Sequence, residues 1–183
     1  TMSAKAAELT KIAVNCYLTT KITYANQVGQ VMIRDGMEKE VKTVLKAIGG
    51  DSRIGTKYLN YGFGFGGPCF PRDNRAFAAY ASKAGVETPL GATTDKFNDE
   101  HTNFLYDYYK KKNKDNLPYC FKYLTYKEGV DILTESRPYD LAMSFINDGY
   151  DVYCLSSGKG LLIDPRIKFQ TPTEPVCHVD LWI

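Results

Sequence analysis

From Ala4 to Ile48 apolar residues recur at helical spacing, and no other feature of the chain restricts its fold as much. Ala6, Leu9, Ala13, Cys16 and Tyr17 begin the pattern, Ile22, Val28, Val31 and Met32 continue it, and Val41, Val44, Leu45 and Ile48 finish it. Such recurrence predicts one long helix over residues 4–48. Gly36 is a point of breakage or bending, and Gly49-Gly50 closes the helix. A helix of about 30 residues or more runs ~45 Å at 1.5 Å per residue. A domain from a chain of 183 residues does not cover that length, so part of the apolar stripe is expected to be buried against a second subunit.

The rest of the chain divides in two. Residues 51–68 read as loop. A helix is predicted from Pro71 to Ala84, stopped by Gly85, and another over Leu90–Lys112. The polar, lysine-rich run Lys111–Pro118 reads as a domain boundary, giving a helical unit over 1–115 and a small α/β unit over 116–183. In the second unit Tyr119–Tyr126 is a strand candidate. A helix follows over Pro138–Asn147, with Ser136 as N-cap and Gly149 as stop. Tyr150–Leu155 is a second strand, which makes a βαβ unit with an expected right-handed crossover. Leu161–Ile163 and Val176–Ile183 supply further short strands. The expected fold class is mixed: an all-α region built on a long helix, then an incomplete Rossmann-like α/β layer.

The segment 65–73, Phe-Gly-Gly-Pro-Cys-Phe-Pro-Arg-Asp, carries the chemistry. Glycines at 62, 64, 66 and 67 let backbone approach a ligand and offer bare N–H donors. Prolines at 68 and 71 restrict the loop. Cys69 between them is placed as a nucleophile, with Asp73 near enough to handle a proton or a water. Taken alone, a free cysteine is more often a packing residue. Gly62, Gly64 and Gly67 also satisfy G-x-G-x-x-G. That spacing signals a dinucleotide site only between a strand and a helix. The preceding Asp51–Lys57 is mostly polar and the prolines follow at once, so a dinucleotide site is rejected here.

Composition excludes several classes. A net charge of +2 is too small to argue for nucleic-acid or membrane binding. The five cysteines (16, 69, 120, 154 and 177) show neither zinc-ligand nor C-x-x-C spacing, and the two histidines, His101 and His178, are far apart. No metal is expected. The cysteines read as reduced thiols of a cytoplasmic protein, and no stretch has the length of a membrane span.

Four stretches together resemble the UDP-glucose/GDP-mannose dehydrogenases, NAD-dependent enzymes that oxidise a nucleotide sugar at C6 to the uronic acid. Ala7-Glu8-Leu9-Thr10-Lys11 with Asn15 is similar to the start of that family's central helix. Asp51-Ser52-Arg53-Ile54-Gly55 resembles its Arg-Ile-Gly element, and Gly62–Asp73 its catalytic cysteine loop. Thr125-Tyr126-Lys127 with Glu135-Ser136 resembles the first βα turn of its nucleotide-binding domain. The elements come in family order over most of residues 6–156. No strand–glycine loop–helix unit precedes Ala6, so NAD is expected to be bound mainly by an N-terminal domain absent from this sequence, and this portion alone is expected to be inactive. Thr134 departs from the arginine that many relatives carry before Glu-Ser, and the carboxyl-terminal part is short.

The resemblance implies a catalytic set of Cys69, Lys11, Asn15 and Asp73. Cys69 would trap the aldehyde made by the first oxidation as a thiohemiacetal, which the second converts to a thioester for hydrolysis. Lys11 and Asn15, one helical turn apart, share a face and would stabilise an oxyanion. Asp73 would orient or activate water. It further implies that Tyr58 and the Gly66-Gly67 backbone line the sugar pocket, that Arg53 reaches the partner subunit's site in a homodimer, and that Lys127 lies near the nucleotide. Each has a plainer reading: a polar helix face for Lys11 and Asn15, a helix-terminal acid for Asp73, a core aromatic for Tyr58, a surface lysine for Lys127. Pro68, where relatives acting on N-acetyl sugars more often have histidine, separates the chain from those relatives; of the remaining substrates UDP-glucose is the first choice and GDP-mannose the alternative. A stand-alone, non-catalytic dimeric interaction module is the alternative function.

Overall fold

The computed structural model describes residues 1–156, 163–179 and 181. Helix α1 spans Ala4–Arg34, with the Ser3 hydroxyl accepting from the Ala6 amide at 3.2 Å as its N-cap. The predicted helix over 4–48 is two helices. Gly36 takes a left-handed conformation, φ 79°, and the chain closes α1 with paired bonds from Gly36 N–H to the Ile33 carbonyl and from Met37 N–H to the Met32 carbonyl. This pattern satisfies the last free carbonyls of a helix and turns the chain out of it. After a 3₁₀ turn at Glu38–Glu40, α2 (Val41–Gly49) folds back, packing Val41 and Leu45 with Ala25, Met32 and Leu59. The 31 residues of α1 still give about 46 Å of rod.

Helices α3 (Phe70–Lys83) and α4 (Pro89–Lys112) both pack against α1 and each other. The seam is polar. The Thr19 hydroxyl on α1 bonds Asn74 Oδ1 on α3 at 3.0 Å, and Asn74 Nδ2 donates to Asp95 Oδ1 on α4 at 2.8 Å. Buried polar atoms paired in this way fix the relative register of helices, because any slip leaves them unsatisfied.

The carboxyl-terminal layer is a parallel sheet of four short strands: β1 (Tyr119–Phe121), β2 (Val152–Cys154), β3 (Ile167–Lys168) and β4 (Cys177–Val179), in the order β3-β2-β1-β4. Helix α5 (Arg137–Asn147) connects β1 to β2. Side chains at 119, 121, 152, 154, 167 and 179 share one core cluster with Leu141, Ala142, Phe145 and Ile146 of α5, as strand periodicity requires. Phe145 is fully buried and stacks on Tyr119 with ring centroids 3.6 Å apart. Its burial is worth about 1.5–3 kcal/mol. The same cluster takes Phe63, Leu105 and Tyr109 from ahead of residue 116.

Several boundaries differ from the sequence expectation. The strand expected over Tyr119–Tyr126 ends at Phe121. Residues 125–132 turn instead, the Thr125 hydroxyl donating to the Lys127 carbonyl at 2.7 Å and Tyr126 N–H to the Ile132 carbonyl. Ser136 stands at the N-cap position of α5, but its hydroxyl donates to the Leu124 carbonyl at 2.6 Å and caps no helix amide. Of the strand expected at Leu161–Ile163, the first two residues lie outside the described residues. Ile163 is coil, and the third strand lies at Ile167–Lys168.

His101 of α4 is completely buried between α1 and the loop that follows α2. Its ring stacks between Phe97 and Phe104 and meets Tyr61 edge-on. Nε2 donates to the Gly62 carbonyl at 2.7 Å, which leaves Nδ1 to accept from Gln30 Nε2, also at 2.7 Å. Burial pulls its pKa from 6.5 down to about 4, against the opposing pull of the Gly62 bond. The folded state thus holds His101 neutral where the unfolded chain binds a proton. The resulting stability is fully present above pH 6.5 and is lost as the pH falls towards 4, on the order of 3 kcal/mol between those limits. Urea denaturation from pH 4 to 7 should therefore show stability rising with pH more steeply in the wild type than in His101→Gln. Equal slopes would remove His101 as the cause.

Candidate active site

Cys69 occupies the N-cap position of α3, exposed, with Phe70 and Pro71 opening the helix behind it. Its carbonyl accepts the Asp73 amide at 2.8 Å, the first bond of the helix. Free amides at a helix N-terminus carry partial positive charge and favour negative charge that develops there. The thiol stands at the wall of a cavity of about 700 Å³ whose lining includes Tyr58, Gly66, Cys69 and Lys127.

Lys11 and Asn15 of α1 meet Asp73. Lys11 Nζ donates to Asp73 Oδ2 at 2.8 Å, and Asn15 Nδ2 donates to the same oxygen at 2.6 Å. The other oxygen, Oδ1, accepts two bonds from the Arg72 guanidinium, at 2.9 and 2.8 Å. The Asp73 side chain is almost wholly buried. Burial alone would raise its pKa, but the bonds from Lys11, Arg72 and Asn15 outweigh it and hold the carboxyl below its ordinary value. Asp73 is therefore a carboxylate at neutral pH with both oxygens engaged. The Asp73 carboxylate in turn holds the Arg72 guanidinium in its charged form.

Four of the nine residues singled out in the sequence thus line one cavity, and three others form one hydrogen-bonded network behind the cysteine. The remaining two lie elsewhere. Gly67 donates its N–H to the Thr134 carbonyl at 2.9 Å, so this amide is not offered to a ligand, and Gly67 is not part of the cavity lining. Arg53 pairs with Asp51 at 2.6 Å, its side chain 85% exposed and away from the cavity. Tyr58 lies on the cavity wall with a left-handed backbone, φ 63°, its ring edge-on to Phe70. A left-handed non-glycine residue is uncommon and is retained only where its surroundings hold it.

Sequence reasoning passed over Arg72, although it sits beside Asp73 in the same motif. It also missed most of the cavity wall: Lys57, Phe63, Phe65, Lys122, Tyr123 and Tyr126. The carboxyl-terminal layer closes that wall. A side chain on Gly66 would overlap the Glu135 carbonyl oxygen, and Glu135 itself pairs with Arg75 of α3 at 2.6 Å. Lys57, Lys122 and Lys127 outnumber Glu128 in the cavity lining and give it a positive character, with Lys122 paired to Glu128 at 2.9 Å. Among the described residues no group of three His, Cys, Asp or Glu side chains is placed to hold a metal, and no helix is long and apolar enough to cross a membrane.

The chain is 33% identical to the UDP-glucose 6-dehydrogenase AglM of Haloferax volcanii, over 80% of its own length and 34% of that protein's. It is 32% identical to the GDP-mannose 6-dehydrogenase of Pseudomonas savastanoi pv. phaseolicola, over 82% and 34% respectively. Among solved structures, a UDP-glucose dehydrogenase from the hyperthermophilic archaeon Pyrobaculum islandicum superposes with a TM-score of 0.74 at 31% identity, covering 84% of this chain and 35% of that one. The chain thus spans about a third of the length of these relatives. Residues 5–100 match the central domain of the UDP-glucose/GDP-mannose dehydrogenase family, and the chain belongs to that family.

Proposed function

We propose that this chain is the substrate-binding and subunit-pairing portion of a nucleotide-sugar 6-dehydrogenase, with UDP-glucose as first choice of substrate and GDP-mannose as second. The observation that carries this reading is the placement of Cys69: exposed at the start of α3, on the wall of an aromatic and lysine-lined cavity, one helical turn from a carboxylate that gathers Lys11 and Asn15. The assembled network favours an enzyme over a non-catalytic interaction module. In this reading residues 1–115 form the pairing and cysteine-bearing unit and 116–183 close the nucleotide end of the cavity.

The family resemblance brings NAD with it as hydride acceptor, and a cytoplasmic location. The residues at hand do not fit the dinucleotide. Gly62, Gly64 and Gly67 lie on coil between Leu59 and α3, not between a strand and a helix, and Gly67 N–H is already bonded. Hydride transfer is therefore not assigned to them, and the mechanism here is confined to trapping and hydrolysis. The Cys69 thiolate adds to the C6 aldehyde carbon, and the carbonyl π pair passes to oxygen, which takes a proton to give the thiohemiacetal. Once this has been oxidised to the thioester, water adds at the same carbon and the thiolate leaves, releasing the acid. Lys11, Asn15 and Arg72 supply positive charge and N–H donors for the oxyanion of each step. Asp73, already ionised and fully bonded, orients those donors. Lys57 and Lys127 face the diphosphate.

A thiol-trapping assay tests the first step without any hydride acceptor. The C6 aldehyde of UDP-glucose should slow alkylation of Cys69 by iodoacetamide, read by peptide mass spectrometry, and Cys69→Ala should bind UDP-glucose as tightly as the wild type. Unchanged alkylation at saturating aldehyde would rule out Cys69 as the nucleophile.

Pairing belongs to the same proposal. Val14, Tyr17, Tyr24 and Val31 are each at least half exposed along one side of α1, opposite the buried Ile22, Asn26 and Gly29. That stripe covers ~26 Å of helix. A two-fold partner presenting the same stripe would bury it, and the exposed Arg53 would then be available to the neighbouring cavity. Sedimentation at micromolar concentration should give a dimer, and Tyr17→Glu with Val31→Glu a monomer. A monomeric wild type would overturn the pairing and leave Arg53 without a role.

A further inference from the structure

The main chain from Gly62 to Phe65 is buried, belongs to no strand or helix, and forms part of the cavity wall just ahead of Cys69. Four of its polar groups, the N–H and carbonyl of Gly62 and of Phe65, are met by side chains of α1 and α4, with Arg137 Nε of α5 a longer second donor to the Phe65 carbonyl at 3.5 Å. Gly62 N–H donates to Asn26 Oδ1 of α1 at 2.9 Å, and the Gly62 carbonyl accepts from His101 Nε2 of α4 at 2.7 Å. Asn98 of α4 takes both groups of Phe65. Its Oδ1 accepts from Phe65 N–H at 2.9 Å and its Nδ2 donates to the Phe65 carbonyl at 2.8 Å.

A primary amide that pairs with both the N–H and the C=O of one residue does what a rung of a neighbouring β-strand does. Asn26 and His101 together do the same for Gly62. The loop is therefore held like a strand in a sheet whose neighbours are side chains. Asn26, Asn98 and His101 are each at most 2% exposed, and none lines the cavity. Gly64 between the two rungs has φ 100°, and a side chain there would overlap Asn98 Oδ1. The glycine and the asparagine require one another.

We propose that Asn26, Asn98 and His101 are positioning residues: they act through the main chain of residues 62–65 to hold the cavity wall open and to set where Cys69 stands, without touching the ligand. Their effect on a bound ligand rests on the nucleotide-sugar reading of the cavity; their effect on the loop does not.

The test uses Asn98→Leu, Asn98→Asp, His101→Phe and His101→Gln in the whole chain. Leucine and phenylalanine remove the bonds at similar size, aspartate removes one bond of two, and glutamine keeps a donor and an acceptor in place of the imidazole. Two quantities are read: amide hydrogen exchange of the peptide covering residues 62–66, compared with peptides from α5 and the sheet, and UDP-glucose affinity by calorimetry. Loss of a buried bond is expected to speed exchange in 62–66 by about tenfold while α5 and the sheet are unchanged, and to weaken UDP-glucose by about tenfold, with His101→Gln restoring both. Should Asn98→Leu fail to fold, Asn98→Asp and His101→Gln carry the comparison. Exchange that rises equally everywhere would overturn the proposal and make these ordinary core residues, as would a faster loop with unchanged affinity. A wild type that does not bind UDP-glucose would refute the nucleotide-sugar reading and leave the clamp to be decided by exchange alone.

Discussion

A glycine-rich loop has almost no side chain of its own to bury, so its main-chain polar groups must be satisfied from outside. In this molecule that requirement organises everything near the cavity. Asn26 on α1 and Asn98 and His101 on α4 reach the same loop from two directions. The two helices must keep a fixed register for both to be in reach. The Thr19–Asn74–Asp95 chain holds α3 in that register too. An unpaired buried amide or carbonyl costs about 1–3 kcal/mol, so a slip of one helical turn would forfeit several such pairings at once. The length of α1 follows from this. One rod has to supply Lys11 and Asn15 to Asp73, Asn26 to Gly62 and Met32 to the packing of α2, and these positions span most of its 31 residues.

The helices were legible in the sequence because their signals are local. Periodicity placed α3, α4 and α5 within a residue or two, helped by a proline near the first turn of each and by a glycine after the last turn of α3 and α5. Gly36 was visible as a weak point, but spacing alone does not separate a bend from a full stop. The difference lies in the backbone bonds that Gly36 and Met37 make back into α1. The strands were overestimated because Tyr119–Tyr126 is aromatic and β-prone throughout. β1 stops at Phe121, ahead of the turn that Thr125 and Ile132 close, and the sequence marks that turn only further on, at Gly129.

The candidate site was legible in part, along the same division. Cys69, Asp73 and the glycines share one short motif, and Lys11 and Asn15 entered through the family resemblance of the helix that bears them. The clamp left no local trace. Asn26, Asn98 and His101 stand 33 to 39 positions from the backbone they hold, on helices where an amide or an imidazole reads as an ordinary polar residue. His101 was weighed only as a metal ligand and set aside, since no second ligand lay near it in sequence. The cavity wall supplied after residue 116 was missed for a related reason: Tyr123 and Tyr126 look like strand residues until the strand is seen to stop before them.

The charges around Cys69 follow from how Asp73 is used. One carboxylate is shared by two cations, Lys11 and Arg72, and an amide, which leaves a net charge of +1 beside the start of α3. The amides at that helix end add further positive character. A carboxylate held this firmly in its ionised form is poorly suited to accept a proton from water, since general bases work best with a pKa near the operating pH. Its use is structural and electrostatic: it keeps two cations close together that would otherwise repel, and aims them. In the proposed reading, the anions that would gain from such a field are the oxyanion formed at the carbon Cys69 attacks and a diphosphate near Lys57 and Lys127. The positive potential is produced almost entirely by local placement, because the chain as a whole carries a net charge of only +2.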